Sequence, residues 1–308
     1  STEADRHRGD HDVSMPGRHR QLHRTGVLLA TAAVAVTAIT GGAWAGYQQL
    51  SDEDCVTDVR LRVAAAPEIA AAVRSAAAAW TAQEAGRCVT VAVSAAEPTA
   101  LAAAIGAEHG VNLAGVGGTA NPADYDIWMP DSSTWLLRIA SEAPGFVPTV
   151  LGSVASSPIV LAVPSPPTGG RAPAMTALAQ RIATDKSLRP GIVDPTRSAA
   201  GLGGLLVLAG AAGTDASAAA LKVGVMRALA ANSASIRDGL LSEFPQSTED
   251  IGTSVGLAPL SEADVIGYNG GRPPVPLTAL YPQPASVVLD YPYAVLPGVD
   301  PQKATAAA

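Results

Sequence analysis

GIVDPTRSAAGLGGLL, residues 191–206, is the stretch on which the fold turns. Ile192 and Val193 read as the end of a strand, Asp194-Pro195 breaks it, and a helix begins at Ser198. Serine suits the cap position, because its hydroxyl accepts a hydrogen bond from a free N–H of the first turn. The other N–H groups of that turn face the crevice beyond the strand, with roughly +0.5 of partial charge. Strand, short loop, helix is the unit from which helix-covered parallel sheets are built.

Two further stretches have the same character, Asp131-Ser132-Ser133 and Ala65-Ala66-Pro67-Glu68. Capping alone explains any one of them. Three in one chain, with a double-crossing strand pair between them, indicate a cleft, since open α/β sheets bind ligands beyond the carboxyl ends of their strands. The chain around them keeps the same rhythm. Strands are expected at 59–64 and 88–94, helices from Pro67 to about Glu84 and over 97–109, and a short apolar run at Tyr125–Met129 before a helix to Glu142. A β-rich stretch, 149–163, leads into a Pro/Gly-rich loop, 164–173. Helices follow at 174–184, from Ser198, and as two Ala-rich runs across 215–244, with a short strand at 191–193. Strands at 253–258, 275–281 and 286–296 and a helix at 261–267 complete an α/β pattern.

Composition narrows the class. Hydrophobic residues reach 48% and charged ones only 15%, too apolar for a disordered chain. Of 20 basic and 27 acidic side chains, five arginines and four acids lie in residues 1–25, so the remainder carries −8 and offers no basic face for nucleic acid. Residues 26–46, GVLLATAAVAVTAITGGAWAG, hold no charge and are long enough to cross a bilayer. Arginines 18, 20 and 24 precede this segment and Asp52-Glu53-Asp54 follow it, so residues 1–25 are expected inside and the body outside. The segment is either a single-pass anchor in the cell membrane or a signal peptide cleaved after Ala45, which would leave the body secreted. Cys55 and Cys88, both on the exported side, read as one disulfide, with two buried thiols as the alternative.

Chemistry-bearing motifs are few. Gly252-Thr253-Ser254-Val255-Gly256 has the spacing of a nucleophile elbow, but no histidine follows His109, so it is expected to be strand with close-packed glycines. No Ser-x-x-Lys, phosphate-binding loop or His-Glu-x-x-His occurs. The pairs His7/His11 and His19/His23 sit in a tail without apolar periodicity, where a solvated arm is the better account than a metal site. Gly115-Val116-Gly117-Gly118 and Gly201-Leu202-Gly203-Gly204 lack the dinucleotide fingerprint and fit a loop and a tight helix packing. Neither an enzyme nor a metal or cofactor is expected.

Five segments in order, LRVAAAPEI (61–69), DIWMPDSSTWL (126–136), SVASSPIVLAVP (153–164), GIVDPTRSAAGLGGLL (191–206) and LDYPYAVLPGVDPQKA (289–304), resemble bacterial extracellular solute-binding proteins. The likeness is to the two-lobed type 2 periplasmic binding fold, with molybdate-binding proteins as distant relatives. It is nearest to actinobacterial forms with an N-terminal membrane segment and often a downstream von Willebrand factor A domain. The resemblance implies two mostly parallel, helix-flanked sheets. One lobe would be 50–155 plus 286–308 and the other 156–285, with hinge crossings near 150–162 and 284–291. It implies a small polar or anionic solute delivered to an ABC-type permease, or else a ligand-free interaction or sensing module that works with a downstream domain. Carried onto this chain, the ligand positions are Ala65, Ala66, Asp131, Ser132, Ser133, Ser156, Ser157, Thr196, Arg197, Ser198 and Tyr291. Oxyanion binders usually place serine where Ala65 and Ala66 stand, and Arg197 would pair with an anion. Asp300-Pro301-Gln302-Lys303-Ala304 looks like a helix start with the family's C-terminal helix still to come, which leads us to expect a longer chain.

Overall fold

Valine at alternate positions sets the first sheet. Val59–Ala65 (β1) and Val89–Ala95 (β2) pair in parallel, and β1 buries Leu61 and Val63 on one face. The computed structural model describes residues 58–83, 88–165, 174–283 and 287–308. The expected tail 1–25, the apolar segment 26–46 and Cys55, the expected partner of Cys88, lie outside these residues. Among the described residues no helix is long and apolar enough to cross a membrane.

Helix α1 (Ala70–Thr81) follows β1, and α2 (Pro98–Glu108) follows β2. Strand β3 (Ile127–Met129) pairs in parallel with β1 and leads into α3 (Thr134–Glu142). The first of these helices starts later than expected. Pro67–Ile69 form a turn, although the bonds of Ile69 and Ala70 to the Ala66 carbonyl already have helical direction.

The β-rich stretch divides into β4 (Thr149–Ser153) and β5 (Ser157–Pro164), which belong to different sheets. Helix α4 (Met175–Thr184), β6 (Ile192–Val193), α5 (Ala199–Ala211) and α6 (Ala216–Ala230) come next. Then follow β7 (Ser233–Ala234), α7 (Arg237–Ser242), β8 (Ala258–Ser261), α8 (Glu262–Gly270) and β9 (Leu277–Leu280). Strands β10 (Val288–Leu289) and β11 (Pro292–Val295) and helix α9 (Pro301–Ala307) end the chain. Asp300 caps α9 by accepting from the Gln302 N–H. The Gly-rich start of α5 is the tight packing its sequence suggests: a Cβ at Gly203 or Gly204 would come within 2.2 Å of Ile159 or Pro259.

One sheet has the order β2-β1-β3-β11-β4. Strands β1, β2 and β3 run parallel, while β11 runs antiparallel to both β3 and β4. In the other lobe β5 pairs antiparallel with β8, β9 and β10. Strands β6 and β7 pair in parallel and are joined to the β8 end by a parallel bridge, Pro190 to Leu257. Each sheet is therefore mostly parallel, as expected, with a single strand running against the rest. In each lobe the antiparallel member is the strand that arrives from the other lobe (β5 or β11), so it enters against the direction set by the strand–helix units.

One correction concerns Gly252–Gly256. It is a turn in which Thr253 and Ser254 donate to the Asp250 carbonyl, and the strand starts only at Ala258. Gly256 is close-packed as expected, since a Cβ there would stand 2.5 Å from the Leu188 carbonyl oxygen.

Candidate functional site

The chain passes between the lobes twice, at 154–156 and at Asp290–Tyr291, and the Val154 N–H donates to the Tyr291 carbonyl at 3.0 Å. Tyr291 is fully buried and holds φ at +37°, a left-handed conformation that costs a bulky residue about 1 kcal/mol or more. Its N–H reaches the Asp131 carbonyl at 3.4 Å, and its hydroxyl donates to Glu68 Oε1 at 3.0 Å. The crossing is thereby fixed to the first lobe.

Six ionisable side chains line a cavity of about 30 Å³ there, the space of a single water. Glu68, Glu97 and Asp131 follow the carboxyl ends of β1, β2 and β3; Arg197, Arg237 and Asp264 follow those of β6, β7 and β8. Each lobe thus contributes one charged group per parallel strand. Leu289, from the second crossing, also lines the cavity.

Arg237 occupies the middle. Its Nη1 lies 3.3 Å from Glu68 Oε2 in one lobe and 3.3 Å from Asp264 Oδ1 in the other, while Nε and Nη2 reach Asp238 at 2.9 and 2.8 Å. Asp264 also accepts from the N–H and hydroxyl of Ser261, which caps α8. Asp131 Oδ1 accepts from Trp135 Nε1 at 2.7 Å. Burial, then the charges of Asp264 and Asp131, push Glu68 up to about 8. Burial pushes Asp131 up to about 7 and raises Asp264 and Glu97 as well. For Arg237 burial works against the charge, and Asp264, Asp238 and Glu68 outweigh it, so the guanidinium stays protonated.

The positions chosen from sequence meet different fates. Ala65 and Ala66 are wholly buried and spend their backbone groups on Ala96 and Met129; the next polar residue, Glu68, reaches the cavity instead. Asp131 lines the cavity. Ser132 and Ser133 serve the start of α3, where the Ser132 hydroxyl accepts from Thr134 and the Ser133 N–H donates to Asp290. Ser156 is exposed at the first crossing, and Ser157 is buried with its hydroxyl accepting from the Ala263 N–H. Thr196 sits at the mouth, bonded to Asp194, and Ser198 caps α5 through the Gly201 N–H. Arg197 lines the cavity but is taken up by carbonyls, Ser235 at 3.0 Å and, across the cleft, Gly115 and Gly117 at 3.4 Å. Sequence reasoning missed Glu97, Arg237 and Asp264 because it searched the strand ends for hydroxyls. The readable signal was a charged residue at or just inside each helix start.

The lobes also meet at the rim, where Arg138 donates to the Thr196 carbonyl at 2.7 Å and to that of Ala114. Gly115 has φ +72°, and a Cβ on it would stand 2.5 Å from Thr196 Oγ1. Gly115→Ala is therefore expected to wedge the lobes apart, which small-angle scattering would register as a larger radius of gyration. An unchanged radius would show that the rim contact yields freely. Among the described residues no group of three or more His, Cys, Asp or Glu side chains is placed to hold a metal ion.

The family model for bacterial extracellular solute-binding proteins matches residues 61–308. No curated protein matches the chain at the sequence level. Among solved structures, the sulfate-binding protein SubI from Mycobacterium tuberculosis H37Rv is similar at TM-score 0.51 and 16% identity, over 82% of this chain and 80% of its own. A periplasmic thiamin-binding protein is similar at TM-score 0.53 and 14% identity, over 80% and 76%. A two-component system protein that mediates signal transduction is similar at 0.51 and 12%, over 80% and 78%. At such identities the likeness is one of fold.

Proposed function

We propose, from the premise that the chain belongs to the bacterial extracellular solute-binding protein family, that it captures a small polar solute between its lobes for an ABC-type permease. One observation carries this: six charged side chains, three from each lobe, converge from the carboxyl ends of parallel strands on a single cavity. We assign 58–155 plus 290–308 to one lobe and 156–289 to the other, since β10 pairs with β5, with closure by rotation about the crossings at 154–156 and 290–291. The sulfate-binding and thiamin-binding neighbours support a solute of small size. Residues 26–46 would tether the body outside the membrane, and Cys55 with Cys88 would close a disulfide at its base.

A second reading draws on the size of the cavity. Arg237 fills it to about the volume of one water, as expected of an interaction or envelope-sensing module that works with a downstream von Willebrand factor A domain. Thermal unfolding of the full chain with amino acids, amines, sugars and oxyanions separates the two. A solute at 100 times its dissociation constant adds about 2.7 kcal/mol of stability. Silence across the panel would remove the first reading in favour of the second.

A further inference from the structure

We propose that three of the protein's own arginines, Arg237, Arg197 and Arg138, latch the two lobes shut, so that closure belongs to the chain itself and needs no solute. The latch goes beyond both readings above and holds under either. Each arginine is fastened in one lobe and spends a donor in the other. Arg237 stands at the start of α7, where Asp238 fixes its Nε and Nη2 at 2.9 and 2.8 Å. Its Nη1 is left to lie between Asp264 of its own lobe and Glu68 of the first, 3.3 Å from each. Glu68 is held in place for it by the Tyr291 hydroxyl.

The rim repeats the arrangement in both directions. Arg197 is anchored through Nε to the Ser235 carbonyl, and its Nη1 and Nη2 cross to the Gly115 and Gly117 carbonyls. From the facing lobe Arg138, bonded to the Ala114 carbonyl beside it, returns to the Thr196 carbonyl. Residues 114–117 and 196–197 thus clasp each other reciprocally, and Gly115 stands so near Thr196 that no Cβ would fit between them. Beneath the clasp the contact is apolar. Ala65, Ala66 and Ile69 of the first lobe share one continuous buried cluster with Ile159, Ala199, Ala200 and Leu289 of the second. Alanine at 65 and 66 suits that floor, since a hydroxyl there would be buried and would need a partner. The apolar floor supplies non-directional adhesion, and the arginines fix the position at which the lobes meet. The cavity that remains is about 30 Å³, so entry of anything larger than water waits on release of the latch.

Double electron–electron resonance on the full chain in detergent micelles, with no solute added, tests this. Nitroxides carried on non-natural side chains at Thr119 and Ser242, both exposed and on opposite lobes, report the interlobe distance. The parent should give one short, narrow distance. Arg138→Ala with Arg197→Ala removes the rim clasp; Glu68→Ala removes the cleft pair and leaves Arg237 neutralised by Asp264 and Asp238. Each of these should shift the closed-to-open ratio about tenfold towards open, and all three substitutions together about a hundredfold, so that a longer distance appears. A long or broad distribution in the parent would overturn the latch. So would a triple variant, or a rim pair if the triple variant does not fold, that unfolds cooperatively and keeps the parent's distance. Opening that depends on the rim pair alone, with Glu68→Ala adding nothing, would overturn the part given to Arg237.

Discussion

Replacing Arg237 with alanine is expected to destabilise the protein by about 3 kcal/mol at pH 8. The guanidinium is the cation between Glu68, whose side chain is 9% exposed, and Asp264, 6% exposed. Without it Asp264 and the fraction of Glu68 that is ionised at pH 8 stand beside each other away from water, which costs more than an exposed ion pair is worth. Urea unfolding followed by tryptophan fluorescence measures the loss. Because the stranded charge is the cause, the loss should shrink at pH 5.5, where Glu68 is protonated, and Glu68→Gln should recover part of it at pH 8. A variant within about 0.5 kcal/mol of the parent at pH 8 would show that Arg237 is a surface group.

Stability of the solute-free protein should also decline as the pH rises from about 4.5 to about 8. Glu68 and Asp131 have folded values of about 8 and about 7, above the values they take in an unfolded chain. A carboxyl group raised by folding contributes fully below its unfolded value, and that contribution is lost as the pH climbs through the folded one. Each site supplies a few kcal/mol at most. Asp126 acts in the opposite sense. Its burial is outweighed by Arg62 and Lys303, so its value is lowered and its contribution is lost as the pH falls below that range. The optimum should therefore lie near pH 5, between the two effects. Asp131→Asn should flatten the alkaline decline in urea-unfolding midpoints; a flat profile in the parent itself would refute the account.

Much of the fold was legible because strands and helices here follow from local pattern. Valine alternation marks β1 and β2, Ser198 caps α5, and the glycines at 203 and 204 announce a helix pressed onto a sheet. The one reversed strand in each sheet was not legible, because the direction of β5 and β11 depends on which lobe each comes from. Gly252–Gly256 misled for a similar reason: its valine and glycines suit a strand, but the bonds from Thr253 and Ser254 to Asp250 close a turn.

The site divides in the same way. Sequence led to the expectation of a ligand cleft at the ends of strands and singled out Asp131, Arg197 and the Tyr291 crossing, all of which lie at the cavity or beside it. It could not assign their electrostatic roles. Arg197 places three of its donors on the carbonyls of Ser235, Gly115 and Gly117, and Arg237 looks like a surface residue until Glu68 comes to it from 169 positions away. Sequence by itself determined the order of strand–loop–helix units and the crevice they create, since periodicity and capping act over a few residues. Only the tertiary structure decided which charged groups meet in the cavity, because that depends on lobes brought together by contacts distant in the chain.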